Sequence, residues 1–206
     1  MKRGRYIVLE GDEGAGKSSQ LGRVQQALQA QGHKVEIVRE PGGDAFAETM
    51  RQILKHAEYH IPAVAEVLAF SAARASMLQN VVRPLLDAGT WVLSDRSYLS
   101  TLVYQGLGHG LDSPEFRQVV EYGIQAAPPD LTIVLDVSLE ESEQRQAGRG
   151  LPTDRFDLGA EFRHTINEGY HNFPPQANLV HVDGHGTLEE VEARIMKAIT
   201  DNIENK

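Results

Sequence analysis

Residues 11–18 read Gly-Asp-Glu-Gly-Ala-Gly-Lys-Ser, and no other stretch restricts the possible folds as much. The preceding run Tyr6-Ile-Val-Leu-Glu10 is short, apolar and β-branched enough to predict a buried strand. Downstream, Leu21, Val24 and Leu28 recur at helical spacing. Strand, glycine-rich turn and helix are the context that the phosphate-binding pattern G-x-x-x-x-G-K-[ST] requires. Gly14 and Gly16 leave backbone N–H groups free to wrap an anion, and the helix N-terminus adds the positive end of its dipole. Lys17 can reach the outer phosphates and the Ser18 hydroxyl can ligate magnesium. An ordinary glycine turn is the bland alternative. By residue frequencies the string arises by chance in roughly one in a hundred chains of this length, and the flanking strand and helix lower that further. A nucleoside-triphosphate site is expected.

Bulk properties narrow the class. A chain of 206 residues, 41% of them hydrophobic, can bury a full core and is most simply one domain, residues 1–206. Its formal net charge of −9 argues against a nucleic-acid partner, which calls for a basic face. A phosphate substrate stays compatible, because a few arginines focus positive potential inside a cleft. There is no cysteine, so disulfides and thiolate chemistry are excluded. The basic start, Met1-Lys-Arg-Gly-Arg-Tyr6, precedes an apolar run too short for a secretory core or a membrane span. A soluble, cytoplasmic protein without a membrane partner is expected.

Further along, strands and helices alternate. Gly32 ends the first helix, Val35–Arg39 is a second strand, and Glu40-Pro41-Gly42-Gly43 is a loop at its carboxyl end, where ligands collect in open α/β sheets. Residues 46–57 read as a helix. Residues 63–88 form a long, unusually apolar helical stretch with room for a break. Its apolar residues cover more than one face, so it is either central or shared with a partner subunit. Arg74 lies amid those apolar neighbours and needs a carboxylate or a ligand. Thr90–Ser94 is a third strand running into Asp95-Arg96-Ser97, and a helix then carries Ser100, Thr101, Tyr104 and Gln105. Gly106, Gly108 and Gly110 are read as opening a flexible loop. Residues 114–125 are helical, Leu131–Asp136 is a fourth strand, and a polar helix starts near Leu139. Residues 148–157, with several Gly and Arg and Pro152, read as a mobile loop. A helix ending near Pro174, a fifth strand at Asn178–Asp183 and a closing helix at 187–203 complete the chain. The expectation is an α/β fold: a three-layer, doubly wound, parallel five-stranded sheet with a phosphate-binding P-loop and a small mobile lid at about 146–158.

A phosphate loop alone does not separate a motor, a GTPase switch and a small-molecule kinase. A guanine-reading Asn-Lys-x-Asp is missing, and the chain is too short for a motor. Arg39, Arg74, Arg96, Arg149 and Arg155 are well separated, and all but Arg74 fall at strand ends or in the mobile loop. Two polyphosphates meeting in one cleft need such a set, since guanidinium groups bind phosphate oxygens bidentately. Taken singly, each arginine is by default a solvated surface residue.

The chain resembles the bacterial thymidylate kinases over nearly its whole length. The matches are residues 11–18, Arg39-Glu-Pro-Gly-Gly43, Phe70-Ser-Ala-Ala-Arg74, Asp95-Arg96, Ser100-Thr101, Tyr104-Gln-Gly106, Pro129–Val137 and Asp154-Arg-Phe-Asp157. The resemblance implies transfer of the γ-phosphoryl of ATP to dTMP, for dTTP synthesis, with Mg2+ as cofactor and a homodimer as the assembly. It places ATP on Gly11, Asp12, Glu13, Gly14, Ala15, Gly16, Lys17, Ser18 and Ser19. It places dTMP on Glu13, Arg39, Phe70, Arg74, Arg96, Ser100, Thr101, Tyr104 and Gln105. Glu13 should meet the sugar 3′-hydroxyl region, Phe70 should stack on thymine, and Arg74 should bond a base edge beside Thr101. Tyr104 should close off the space of a ribose 2′-hydroxyl, and Arg39 and Arg96 should hold the acceptor phosphate. Ser18 and Asp95 should hold the metal. By default Phe70 and Tyr104 would be packing residues.

Lys17, Arg96, Arg155 and Arg149 are the expected catalytic cations. Some members of the family carry an arginine at the position of Gly14, so its absence shifts that duty to the lid, with Arg155 preferred for its place in the Asp-Arg-Phe-Asp match. Two departures from the family pattern stand out: Ser97 in place of an aromatic residue, and Val103 in place of an alanine. Asp-Arg-Ser also occurs in deoxynucleoside kinases, which makes such an enzyme, with Glu40 as base for a 5′-hydroxyl, the runner-up. A non-catalytic nucleotide-binding regulatory protein is the rival from another class.

Overall fold

The computed structural model describes residues 2–148, 159–174 and 176–204. Five strands, β1 (Tyr6–Glu10), β2 (Val35–Arg39), β3 (Trp91–Asp95), β4 (Leu131–Asp136) and β5 (Leu179–Asp183), form one parallel sheet in the order β2-β3-β1-β4-β5. Each lies within a residue of its expected place. The register sets Leu9 beside both Asp95 and Ile133, and Arg39 beside Asp95. The carboxyl ends of β1, β2 and β3 therefore finish level with one another.

Helices cover both faces. All five residues of β1 are buried, as a central parallel strand requires. Ile7 and Leu9 pack with Leu21, Val24 and Leu28 of α1 (Lys17–Ala30) and with Val191, Ile195 and Ile199 of α9 (Leu188–Ile199). Tyr6 and Val8 face the opposite way, onto Ala73 and Met77 of α3 (Ala63–Met77). By the same alternation, Glu10 points to that second face. The chain leaving β1 enters α1 on the first face. The chain leaving the adjacent β3 enters α5 (Tyr98–Thr101), whose Leu99 packs with Val134 on the second. Neighbouring strands whose exits diverge in this way open a crevice at their carboxyl ends.

Caps fix several helix starts. Asp44 accepts from Ala47 N at 2.7 Å at the head of α2 (Ala45–His56), and Ser113 caps α6 (Pro114–Ile124). Ser138 caps α7 (Leu139–Ala147), and Thr187 with Glu190 forms a capping box on α9. The long apolar stretch is interrupted where its sequence left room for a break: α3 passes through a wide π-type turn at Leu78–Val82 into α4 (Arg83–Asp87). Pro84, two residues past that turn, lacks the N–H that would bond back to Asn80. Val64 and Leu68 of α3 are more than half exposed, whereas Val67, Met77 and Leu78 are buried.

One expectation is overturned. Gly106 and Gly108 lie inside a π-helical segment, Leu102–Gly108, rather than in a flexible loop. They are packing glycines: a Cβ on Gly106 would lie 3.0 Å from the Phe116 ring, and one on Gly108 would lie 2.6 Å from Phe162. Gly110, at φ 68°, does belong to the following turn. Residues 149–158, which hold most of the expected lid together with Arg149 and Arg155, lie outside the described residues.

Candidate active site

The P-loop joins β1 to α1 with Gly14 and Gly16 at φ 85° and 99°, the left-handed region that favours glycine. Lys17 is buried, and its Nζ donates to the carbonyls of Gly11 (2.9 Å) and Asp12 (2.7 Å). Burial, reinforced by the Arg96 cation, lowers its pKa to about 8. Ser18 Oγ donates to Asp95 Oδ2 at 2.8 Å. A hydroxyl and one carboxylate beside a phosphate cradle suit magnesium, which takes oxygen ligands and keeps much of its shell from water and substrate. Among the described residues no group of three or more His, Cys, Asp or Glu could hold a metal ion.

Asp12 does not face the cradle with its side chain. It is buried, and its carboxylate accepts from Glu13 N, Ser142 Oγ and Asn167 Nδ2 at 2.7, 3.2 and 3.1 Å. It braces the loop. Gly14 is hemmed in from the same side, since a Cβ built on it would lie 2.4 Å from the Ser142 carbonyl oxygen of α7. No side chain fits there, arginine included. Ala15 is buried within the loop, and Ser19 N bonds back to Gly16 O in the first turn of α1.

A cleft enclosing about 170 Å³ opens next to this loop, and all nine residues expected to hold dTMP line it. Arg96 is the most constrained of them. It leaves β3 at φ 72°, rare for a residue with a side chain. Its buried Nη1 donates to Gly11 O, Ser100 Oγ and Tyr170 OH at 3.1, 3.1 and 2.9 Å. Its guanidinium lies 5.6 Å from the centre of the Tyr104 ring. Arg39 forms a two-pronged pair with Glu48 at 2.8 and 3.1 Å. Gln105 donates to the buried Glu66 at 3.3 Å.

Arg74 has the partner its apolar surroundings demand. Its Nε donates to Glu40 Oε2 at 2.6 Å, and its Nη2 donates to Thr101 Oγ1 at 2.8 Å and to Ser97 O at 3.2 Å. Nη1 is buried and has no hydrogen-bond acceptor among the described residues. A buried, unsatisfied guanidinium donor is costly, and Arg74 lines the cleft beside Phe70 and Thr101.

Several residues escaped the sequence reading. Glu10 is fully buried and accepts from Ser97 N, Ser100 N, Ser100 Oγ and Tyr170 OH, all within 3.1 Å. A signal for it existed: a carboxylate ending a buried strand needs partners as much as Arg74 does. Tyr170 and Asn167, on α8 (Ala160–His171), carry no comparable signal. Arg51 and Lys55 of α2 also line the cleft, and Arg51 Nη1 donates to Pro41 O at 2.9 Å. Arg145 Nη2 donates to Gly184 O at 3.0 Å, and its Nη1 reaches the Ala15 carbonyl at 3.4 Å. The loop after β5 is thereby tied to the P-loop.

A family model described as thymidylate kinase matches residues 9–195. The thymidylate kinase of Deinococcus radiodurans is 37% identical to this chain over 204 residues, covering 98% of each. That of Syntrophotalea carbinolica is 40% identical over 199 residues, 92% of each chain. That of Legionella pneumophila (strain Corby) is 35% identical over 206 residues, 98% of this chain and 97% of the relative.

Proposed function

The chain belongs to the thymidylate kinase family, and from that premise we propose that it transfers the γ-phosphoryl group of ATP to dTMP, releasing ADP and dTDP. The observation that carries this reading is the cleft beside the P-loop, which Arg74 lines together with Phe70 and Thr101, its Nη1 having no acceptor among the described residues. Arginine can only donate, so it reads an acceptor on the base edge, while Phe70 offers a face for stacking. In this assignment Arg39 and Arg96 bind the acceptor phosphate, Glu13 and Gln105 meet the sugar and base surroundings, and Ser100 steadies Arg96. Tyr104 fills the space beside the sugar where a ribose would carry its 2′-hydroxyl.

The chemistry asks for little proton transfer. A phosphate monoester with its second pKa near 6 is largely a dianion at neutral pH, so its oxygen attacks the γ-phosphorus without a general base. The bond from that phosphorus to the bridging oxygen of ADP breaks, and the leaving charge is met by cations in place beforehand. Backbone N–H groups of Gly11–Ser19 cradle the donor phosphates, with Lys17 as the fixed cation. Ser18 and Asp95 would hold Mg2+, which when bound neutralises phosphate charge. With Gly14 closed to any side chain, the remaining charge is assigned to Arg155, with Arg149 second. Arg155→Ala should lower kcat at least about 100-fold with a modest change in the KM for ATP; steady-state kinetics with an unchanged kcat would reject the assignment.

The runner-up is weaker. Both Glu40 oxygens already accept, from Arg74 Nε and from Ser97 Oγ at 3.1 Å, which leaves it poorly placed to take a proton from a 5′-hydroxyl. A steady-state screen of nucleosides and monophosphates with ATP and magnesium decides: turnover of dTMP is expected, and turnover of thymidine in its place would overturn the reading. Among the described residues no helix is long and apolar enough to cross a membrane. We further take residues 1–206 as one domain working in the cytoplasm as a homodimer. The exposed Val64 and Leu68 of α3, with Phe46 of α2 and Tyr122 of α6, support the dimer.

A further inference from the structure

The ion pair that anchors Arg74 is one-pronged, although both partners are almost wholly buried: the side chains of Arg74 and Glu40 are 2% and 5% exposed. A guanidinium and a carboxylate left to themselves favour the two-pronged fork. Here Glu40 offers only Oε2 to Arg74 Nε, because Oε1 accepts the Ser97 hydroxyl at 3.1 Å. Ser97 itself cannot drift. It is 1% exposed, its N–H donates to Glu10 Oε1 at 2.7 Å, and its carbonyl accepts from Arg74 Nη2. One residue thus touches both halves of the pair, the carboxylate with its side chain and the guanidinium with its backbone.

We propose that Ser97 is a positioning residue for base selection, acting through Glu40 to hold the Arg74 guanidinium so that Nη1 faces the base edge. Without the Ser97 hydroxyl, Oε1 is released and the carboxylate turns into the fork with Nε and Nη2. That fork competes with Thr101 for Nη2 and rotates Nη1 away from the cleft. The base that satisfies Nη1 is a pyrimidine with a carbonyl where cytosine carries an amino group, because a donor-only side chain donates to the first and leaves the second unpaired. The inference rests on the dTMP kinase reading above and names the residue that sharpens its selectivity.

The test is the ratio of kcat/KM for dTMP to that for dCMP, measured on wild type, Ser97→Ala, Glu40→Gln and the double variant. A ratio taken within one preparation is unaffected by the fraction of protein that is folded. Ser97→Ala should lower it about tenfold, the lower end of the scale for a hydrogen bond to a charged group, with the loss appearing in the KM for dTMP more than in kcat. Glu40→Gln should lower it at least as far, and the double variant should fall no further than Glu40→Gln, as two residues acting in series require. An unchanged or raised ratio in Ser97→Ala, or losses that multiply in the double variant, overturns the proposal while the kinase reading stands. Wild-type protein inert toward dTMP overturns both.

Discussion

Gly14 combines two demands that only a residue without a side chain meets. Its φ of 85° lies in the left-handed region, and its missing Cβ leaves room for the Ser142 carbonyl of α7. Gly14→Ala meets both a backbone penalty of about 1–2 kcal/mol and a contact of 2.4 Å with backbone that has no rotamer to escape through. A fall in Tm of roughly 5 °C or more is expected by calorimetry, with loss of ATP turnover; unchanged melting and kinetics would show that α7 yields easily. At Arg96 the lever is Tyr170, whose hydroxyl accepts from Nη1 and bridges to Glu10. Burial and the Glu10 carboxylate push that hydroxyl's pKa well up, so it stays protonated. Tyr170→Phe removes one of three acceptors of Arg96 Nη1, and about a fivefold rise in the KM for dTMP is expected. An unmoved KM would mean that Gly11 O and Ser100 suffice.

At the scale of elements, α8 is the member that ties the P-loop to the cleft beside it. Asn167 reaches Asp12 beneath the P-loop, and Tyr170, one turn on, reaches Arg96 beside the cleft. The helix is seated against the π-helical segment Leu102–Gly108, where Gly108 meets Phe162 and Ile166 and Gly169 meets Val103 and Leu107. Contacts this close turn a missing methyl into a specification of helix position. Gly108→Ala should therefore cost about 1–3 kcal/mol of stability, read by denaturant unfolding, and should raise the KM for both substrates together. A loss confined to stability would mean that α8 moves without carrying Asn167 and Tyr170 with it. The departure at Val103, a larger residue than the family's alanine, belongs here too: it is fully buried against Leu99, Ile166 and Tyr170.

For the molecule as a whole, the balance is between a net charge of −9 and apolar side chains left outside. The exposed Val64 and Leu68 lie one turn apart on α3, between α2 and α6, which expose Phe46, Ile53 and Tyr122. Burying such side chains against a second copy gains about 25 cal/mol per Å², while salt screens the repulsion of two acidic chains. Sedimentation should give twice the 22.7 kDa of one chain, and Leu68→Glu should return it to one. Wild type sedimenting as a single chain would remove the dimer. Inside the cleft the cations Arg39, Arg51, Lys55, Arg74 and Arg96 outnumber the carboxylates Glu13, Glu40 and Asp95, the reverse of the balance over the whole chain. An acidic protein can thus draw in a doubly charged nucleotide.

The local chemistry of the chain was legible without coordinates. The glycine spacing and Lys17-Ser18 marked the phosphate cradle, the apolar runs marked five strands, and Arg74 stood out because a charge amid apolar neighbours needs a partner. Such signals depend on a residue's own type and on neighbours within a few positions. The identity of the partners depends on topology. Glu40 meets Arg74 across 34 positions, Ser18 meets Asp95 across 77, and Tyr170 meets Glu10 across 160, and no local pattern records these meetings. Only the strand order, with β3 between β1 and β2, brings the chain ends after them to one crevice. There the closed space at Gly14, the strained turn at Arg96 and the Arg74 Nη1 left without an acceptor among the described residues are decided by packing.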